Sequence, residues 1–217
     1  MPVWMKYPDG ETVNYTYNSR MLLDRVIGTT TYVSSTLYDS TGRMTNRALG
    51  NGLTQAYTYY PWNAPAQGGR LQNLTTGSLQ NINYAYDPVG NISQIQDSIT
   101  NETQSFGYDT LGRLTSATVT SGPAPYSETY GYNAATGNLE TKAGMELNYN
   151  DAAHKHAVTH IGSTQKYWYD ANGNQTTRVI GSDTYLLGYD AENRLVEVCT
   201  APIKLDTTEA LGYQDFV

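Results

Sequence analysis

The fold of this chain is decided by a short recurring motif, whose clearest copy is Tyr86-Asp87-Pro88-Val89-Gly90-Asn91-Ile92. An aromatic residue, an acidic residue, two spacers, a glycine, an Arg or Asn and an aliphatic residue follow each other. The same order returns in Tyr108-Asp109-Thr110-Leu111-Gly112-Arg113-Leu114 and in Tyr38-Asp39-Ser40-Thr41-Gly42-Arg43-Met44. Self-similarity of this kind is typical of repeat architectures. The chain is therefore interpreted as an array of one structural unit.

Further copies depart from the motif at single positions. They begin at Tyr132, where Gly137 follows one extra spacer, at Tyr169, and at Tyr189, where Asn193 replaces the glycine. Degenerate copies begin at Tyr17 and Tyr59, and a weaker candidate begins at Tyr149. The intervals between these nine tyrosines are 21, 21, 27, 22, 24, 17, 20 and 20 residues. This spacing predicts a repeat array over residues 1–198 of about nine units, with an insertion near 60–69 and a divergent tail at 199–217.

Each unit is predicted to be one β-hairpin. Aromatic residues spaced i, i+2, such as Tyr84 and Tyr86, lie on one face of a strand. The following Asp or Asn ends the strand, because its side chain accepts hydrogen bonds from backbone N–H groups two residues on. Glycine then supplies the positive φ of a type I turn with a bulge, a conformation that Asn193 also tolerates. The sequence therefore predicts an all-β fold of repeated antiparallel β-hairpins.

A sheet of so many hairpins is not expected to stay flat. Nine hairpins correspond to about eighteen strands, whereas open twisted sheets rarely exceed about ten strands without curling or splitting. We therefore expect a curved sheet strip.

The composition fits an all-β chain and excludes several classes of protein. The 217 residues include 20 Tyr and 20 Gly, and only 15% are charged; Tyr favours half-buried strands, and Gly favours turns. The net charge of −7 argues against non-specific nucleic-acid binding and against adsorption to anionic membranes. The sequence contains no apolar run of about 20 residues, so no membrane-spanning helix is predicted. The single cysteine, Cys199, excludes an internal disulfide.

The unit Tyr-Asp-x-x-Gly-Arg/Asn-Leu resembles the YD repeat of the rearrangement-hotspot (Rhs) proteins. Such repeats also occur in the C components of insecticidal toxin complexes, in bacterial wall-associated proteins and in teneurins. The resemblance covers about residues 5–198. It includes the stretch His154-Lys155-His156-Ala157-Val158-Thr159-His160-Ile161-Gly162, which is similar to the C-terminal part of such arrays.

The resemblance implies a β-sheet strip wound in a spiral to form a hollow shell, which in toxin members encloses a toxic polypeptide until delivery. We therefore expect a non-enzymatic structural module that contacts neighbouring repeats or the cargo polypeptide of a larger parent protein. A secreted or cell-surface location is implied by the family alone, because residues 1–10 show no signal-peptide pattern. Family members usually carry more repeats and a self-cleavage segment, so we expect a fragment or a shortened member. Unpaired edge strands would then favour self-association.

The alternative is an adhesin-like cell-surface module that binds carbohydrate through exposed aromatic side chains. The tyrosine pairs follow the period of the fold, and they are therefore predicted to form its core rather than a glycan platform. Trp62 lies in the insertion, and insertions in repeat proteins fall in loops on one face. Trp62 and Trp168 are the candidate ligand-stacking residues.

No catalytic, cofactor-binding or metal-binding residue is predicted. Nearly every Asp occupies the turn position, which leaves no singular carboxylate for acid–base catalysis. Cys199 has no flanking His and is expected to be an unreactive thiol. His154, His156 and His160 are closely spaced, but only Asp151 is near enough in sequence to complete a metal site, and packing is the favoured role. The residues predicted to define the repeat structurally are Tyr38, Asp39, Gly42, Tyr86, Asp87, Gly90, Tyr108, Asp109, Gly112, Tyr132, Gly137, Tyr169, Asp170, Gly173, Tyr189 and Asp190.

Overall fold

The computed structural model describes residues 2–201, and every regular element in this range is a β-strand. The predicted all-β fold of repeated antiparallel hairpins is confirmed. The chain divides into two compact units, with the boundary between Thr129 and Tyr130. No helix in the described range is long and apolar enough to cross a membrane. Of the predicted tail, only residues 199–201 are described, and residues 202–217 lie outside the described range.

The first unit adds its strands in chain order, each one antiparallel to the strand before it. Its strands are β1 (Trp4–Lys6), β2 (Thr12–Tyr17), β3 (Leu23–Ile27), β4 (Thr31–Tyr38), β5 (Met44–Leu49), β6 (Thr54–Tyr59), β7 (Leu71–Thr76), β8 (Gln80–Tyr86), β9 (Ile92–Asp97), β10 (Glu102–Tyr108), β11 (Leu114–Val119) and most of β12 (Tyr126–Tyr132).

The second unit begins within β12, whose last residues pair with β13. Its further strands are β13 (Leu139–Lys142), β14 (Met145–Asn148), β15 (His160–Ile161), β16 (Thr164–Gln165), β17 (Tyr167–Tyr169), β18 (Gln175–Ile180), β19 (Asp183–Tyr189) and β20 (Leu195–Ala201). Strands β1 to β16 follow each other in one sixteen-stranded sheet, and β17 to β20 form a four-stranded sheet.

Each regular hairpin carries a bulge at the tyrosine that ends its first strand. The pairing register shifts at Tyr17, Tyr38, Tyr59, Tyr86, Tyr108, Tyr132, Tyr169 and Tyr189. The glycine position of the following turn has a positive φ, which is 88° at Gly42 and 74° at Gly112. Asn193 has a φ of 59° in the same position. The bulge and the left-handed turn residue occur together. The extra residue of the bulge increases the local twist of the two strands, and a turn with a left-handed residue matches that twist.

The degenerate copy at Tyr17 places a methionine where most of the other turns have glycine. Met21 has a φ of 61°, and its backbone N–H donates to the carbonyl of Asn18 at 2.9 Å, as the Gly42 N–H does to the Asp39 carbonyl at 3.2 Å. A left-handed backbone costs an L-residue roughly 1–2 kcal/mol, because Cβ approaches the following carbonyl oxygen. The methionine is therefore held in a strained conformation by the turn around it.

Met21→Gly should raise the free energy of unfolding by about 0.5–1 kcal/mol, since relief of this strain exceeds the added entropy of the unfolded chain. Urea unfolding followed by circular dichroism measures the change. Ser19→Gly in the same turn is the matched control, because Ser19 is exposed and has no positive φ. Stabilisation by both substitutions, or by neither, would contradict a strain specific to Met21.

The Tyr149 copy departs from the regular hairpin. Strands β14 and β15 pair through Asn148 and His160, so residues 149–159 form a long loop where the regular copies have a five- or six-residue turn. The reason is visible in the sequence, because no glycine follows Asn150 within the usual spacing. This segment, called loop 149–159 below, is the main irregularity of the second unit.

Few side chains in the described range are fully buried. The buried hydrophobic residues are Val13, Ala117 and Val119, and the tyrosines of the motif are half-buried. The stability of the array therefore depends on contacts between successive strands more than on one deep core.

Candidate functional site

The motif aspartate organises each turn through hydrogen bonds. In the copy at Tyr108, Oδ1 of Asp109 accepts from the backbone N–H of Leu111 and of Arg113 at 2.9 Å each. Oδ2 accepts from Nε of Arg113 at 2.7 Å. Asp39 with Arg43, and Asp190 with Arg194, repeat this arrangement. The Arg or Asn position of the motif therefore supplies a side-chain donor to the turn aspartate.

These contacts stabilise the charged form of the turn carboxylates. The backbone hydrogen bond from Arg113, opposed by a smaller effect of burial, holds the pKa of Asp109 below its usual range. At Asp170 the side-chain amide of Asn174 has the largest effect, and the pKa is again lowered. A carboxylate that stays ionised and is surrounded by its own turn is poorly suited to proton transfer near neutral pH. The thiol of Cys199 donates to Oε1 of Glu197 at 3.0 Å, which raises its pKa and reduces its thiolate fraction.

In five copies the hydroxyl of the motif tyrosine joins the hairpin to the preceding one. It donates to the carbonyl oxygen of the residue that starts the preceding return strand, at 2.6 to 2.9 Å. These tyrosine bridges are Tyr38 to Leu23, Tyr59 to Met44, Tyr86 to Leu71, Tyr108 to Ile92 and Tyr149 to Leu139. Tyr169 reaches the carbonyl of Val158 at 2.7 Å in a similar way.

The bridges lie where the backbone ladder between hairpins has ended. Strands β5 and β6 pair only as far as Asn46 and Ala56, so Met44 and Tyr59 lie beyond the last pair. Without the hydroxyl, the Met44 carbonyl would lack this partner, and an unsatisfied carbonyl away from water is costly. Tyr149, the weakest copy of the motif, still makes a bridge although it starts no tight turn. This role of the tyrosine hydroxyl was not predicted from the sequence, although the consistent choice of Tyr over Phe at the motif position was its signal.

One face of the first unit carries rows of uncharged polar side chains. Across neighbouring strands, Asn73 pairs with Asn83, Asn83 with Gln96 and Gln96 with Thr103. Nδ2 of Asn73 donates to Oδ1 of Asn83 at 2.9 Å. A second row runs through Gln94, Ser105, Thr118 and Ser127, and it ends at the apolar Ala85. We call this surface the amide–hydroxyl face.

The insertion near residues 60–69 is fastened to the sheet by Arg43. The guanidinium group of Arg43 lies 4.3 Å from the ring centroid of Tyr59 and 4.5 Å from that of Trp62, and Nη1 donates to the carbonyl of Gly69 at 2.8 Å. Trp62 itself is 64% exposed. Its ligand-stacking role remains a prediction, and in the structure the guanidinium group of Arg43 lies over its ring.

The ring of each of the three histidines contacts a different hydrogen-bond partner. Nδ1 of His154 lies 2.9 Å from Oδ2 of Asp151, Nδ1 of His156 lies 2.6 Å from Oδ1 of Asn138, and Nδ1 of His160 lies 2.9 Å from Oγ1 of Thr159. Within residues 2–201 no group of three or more His, Cys, Asp or Glu side chains is placed to hold a metal ion.

A cavity of about 310 Å³ lies beside Trp168 in the second unit. Its lining includes Asn150, Asp151, Thr159, His160, Gln165 and Trp168. Loop 149–159 supplies one wall, and β15, β16 and β17 supply the rest. This Trp168 cavity brings the second candidate stacking residue together with amide, imidazole, hydroxyl and carboxylate groups.

His154 connects loop 149–159 to the turn that follows β17. Its ring lies 6.4 Å from the ring of Tyr169, and a Cβ at Gly173 would lie 3.3 Å from its Cδ2. The hydrogen bond to Asp151 is the main reason why the pKa of His154 is raised, and a backbone contact with Ala171 and the charge of Asp170 add to it, against a smaller effect of burial.

Because the pKa is raised in the folded state, protonated His154 stabilises the fold. That contribution is complete below the unfolded pKa of about 6.5 and is lost as pH rises through the folded pKa. His154→Gln should therefore lower Tm most at mildly acidic pH, and the difference from the parent chain should shrink toward alkaline pH. Thermal unfolding of the variant and of the parent chain across this range measures the difference. A difference that grows with pH would contradict the assignment.

The chain is similar to known proteins in part of its sequence and in its fold. Residues 86–124 match the family model described as RHS Repeat. A structure of the Tc holotoxin pore of Photorhabdus luminescens, with a TccC3 variant, aligns with 95% of this chain at a TM-score of 0.71 and 20% sequence identity. The crystal structure of TcdB2-TccC3-Cdc42 aligns with 91% of it at a TM-score of 0.65 and 20% identity. A search of curated protein sequences found no match.

The chain spans only 12% and 11% of the length of those two structures' chains, and at this identity the likeness concerns the fold. The family match covers the hairpin that begins at Tyr86 and the next one along the chain. The resemblance drawn from the motif is thereby confirmed: the chain contains an RHS repeat at residues 86–124, and it shares its β-hairpin fold with structures of Tc toxins.

Proposed function

We propose that this chain is a segment of the wall of a YD-repeat shell that encloses a polypeptide within a larger, secreted toxin-type protein. The tyrosine bridge carries this proposal. In five copies it joins a hairpin to the one before it through the same pair of positions, so the array can be extended by further hairpins without a new kind of contact. The RHS repeat and the Tc toxin fold support the same assignment.

The amide–hydroxyl face suits contact with an enclosed chain. It presents side chains that donate and accept hydrogen bonds but carry no charge, so it would neither attract nor repel a cargo according to its net charge. It also offers an unfolded polypeptide little apolar surface on which to dock. The partners proposed are accordingly the neighbouring repeats and a cargo polypeptide of the parent protein.

Sequencing of the coding locus on both sides of the region for residues 1–217 tests the proposal. We expect further Tyr-Asp units in the same reading frame, together with a segment unrelated to the repeat. A frame that encodes only the units seen here would rule out enclosure by one chain. The protein would then be a short hairpin array with another role.

A further inference from the structure

We propose that a cavity among the first strands of the array binds a small quaternary ammonium compound such as choline. The cavity has a volume of about 310 Å³ and is lined by Tyr7, Asp9, Glu11, Val13, Tyr15, Val26 and Tyr32. We call it the tyrosine cavity. The inference concerns the first unit alone, goes beyond the proposed function and does not depend on the shell.

The lining of the tyrosine cavity comes from the turn between β1 and β2 and from the strands that follow. Tyr7, Asp9 and Glu11 lie in that turn, where the backbone N–H of Tyr7 donates to the carbonyl of Glu11 at 2.8 Å. Tyr15 lies in β2. Tyr32 lies in β4, and its hydroxyl donates to Oε1 of Glu11 at 2.7 Å. A site that is ordered in this way before its ligand arrives loses less conformational entropy on binding.

Three tyrosines supply the aromatic part of the lining. Tyr7 is 41% exposed and Tyr32 is 42% exposed, so a ligand can reach both side chains from solvent. A hydrogen-bonding interaction with the Tyr7 side chain is the main reason why the pKa of Tyr15 is raised, which indicates that these two tyrosines lie close together. The negative face of an aromatic ring attracts a cation, and cages of several rings recognise quaternary ammonium groups.

Two carboxylates give the tyrosine cavity a negative charge. Oε1 of Glu11 accepts from the backbone N–H of Thr29 at 2.9 Å, from the Thr29 hydroxyl at 3.0 Å and from the Tyr32 hydroxyl. These hydrogen bonds hold the pKa of Glu11 below its usual range. Asp9 is the second acidic residue of the lining, which includes no lysine or arginine. Two carboxylates beside tyrosine rings favour a cationic ligand.

Two basic residues that are adjacent in sequence to the lining lie on the other face of the strands. Lys6 pairs with Thr12, and Arg25 pairs with Thr16. Successive side chains of a strand point to opposite faces, so Thr12 and Thr16 lie on the face opposite to Tyr15. Neither Lys6 nor Arg25 is therefore placed to compete with a ligand for the carboxylates.

The hydrogen bonds already made in the lining favour a cation without N–H groups. Oε1 of Glu11 and the Tyr32 hydroxyl are paired with each other, and Oδ1 of Asp9 accepts from the backbone N–H of Glu11 at 3.0 Å. A primary ammonium group has three donors to satisfy and is strongly hydrated, whereas a trimethylammonium group has no donors. The carboxylates would also repel a phosphate group attached to the ligand. Choline therefore fits the lining better than ethanolamine or phosphocholine.

Calorimetric titration of the full chain with choline and with tetramethylammonium tests the proposal. Both should bind saturably with a millimolar or lower Kd. The neutral analogue of choline, in which carbon replaces nitrogen, should bind at least about tenfold more weakly because it has the same shape without the charge. Ethanolamine and phosphocholine should each bind several-fold more weakly than choline.

Two variants separate the charge from the rings. Glu11→Gln removes the charge but keeps an oxygen that can accept the same hydrogen bonds, and it should weaken choline binding about fivefold. Tyr7→Leu removes a ring and should also weaken it about fivefold. Tyr126→Leu is the matched control for Tyr7→Leu, because Tyr126 is equally exposed at 41%, and it should change the affinity by less than about twofold.

Absence of saturable binding by both choline and tetramethylammonium would overturn the proposal. Equal affinities for choline and its neutral analogue would overturn it as well, since the site would then not recognise the charge. The same holds for equal losses in Tyr7→Leu and Tyr126→Leu, or for unchanged choline binding by Glu11→Gln.

Discussion

Gly50→Ala should destabilise the protein by about 3 kcal/mol, because the added methyl group has no room. A Cβ on Gly50 would overlap with the carbonyl oxygen of Thr31. That oxygen belongs to the backbone, so no rotamer change can remove the contact. The Gly50 N–H also donates to the carbonyl of Tyr32 at 2.9 Å, so the segment cannot move away without losing this bond. The start of β4 and the end of β5 would have to separate.

Urea unfolding of the parent protein and of the Gly50→Ala variant measures this loss of stability. Gly52→Asn is the matched control. Gly52 lies two residues on in the same turn, has a φ of 85°, and a Cβ there would have no neighbour within 4 Å. Asn tolerates the left-handed conformation, so this variant should change stability by less than about 1 kcal/mol. If Gly50→Ala cost no more than Gly52→Asn, the close approach of the two backbones would be refuted.

Tyr86→Phe should cost about 1 kcal/mol and Tyr86→Ala about 3 kcal/mol. The first substitution removes only the hydroxyl that donates to the Leu71 carbonyl at 2.9 Å. The second also removes the half-buried ring, which packs edge-on against Tyr60 at 6.4 Å and lies beside Arg70. The difference between the two variants separates the bridge from the packing of the ring.

Tyr126→Phe is the control for the hydroxyl. Tyr126 is 41% exposed, and its hydroxyl has no hydrogen-bond partner within residues 2–201. Its loss should leave the free energy of unfolding within about 0.5 kcal/mol of the parent value. Equal effects of Tyr86→Phe and Tyr126→Phe in chemical unfolding would show that the bridge does not stabilise the array.

The hairpins could be predicted from the sequence because their determinants are local. Asp109, Gly112 and Arg113 lie within five positions, so turn chemistry, the left-handed residue and the return strand follow from one short motif. Asn193 could be placed in the glycine position for the same reason, since few other residues adopt a positive φ. The positive φ of Met21 was not predicted, because this conformation is imposed by the surrounding turn and is not one that methionine favours.

The contacts between hairpins could not be predicted in the same way. The tyrosine bridge joins Tyr86 to Leu71 across fifteen positions, and it depends on the point where the ladder between β7 and β8 ends. The Trp168 cavity depends on the path of loop 149–159, for which the motif gives no rule. The sequence did indicate Trp168 as a candidate, but the polar groups around it come from three separate segments.

Protease protection of the natural gene product tests the enclosure of a polypeptide most directly. The protein would be purified from its source with an antibody against residues 2–201, digested under native conditions, and its surviving peptides sequenced. We predict that a segment outside the Tyr-Asp array survives while the array is folded and is cleaved once the array is denatured. Cleavage of every such segment at equal rates in the native and denatured protein would contradict the shell.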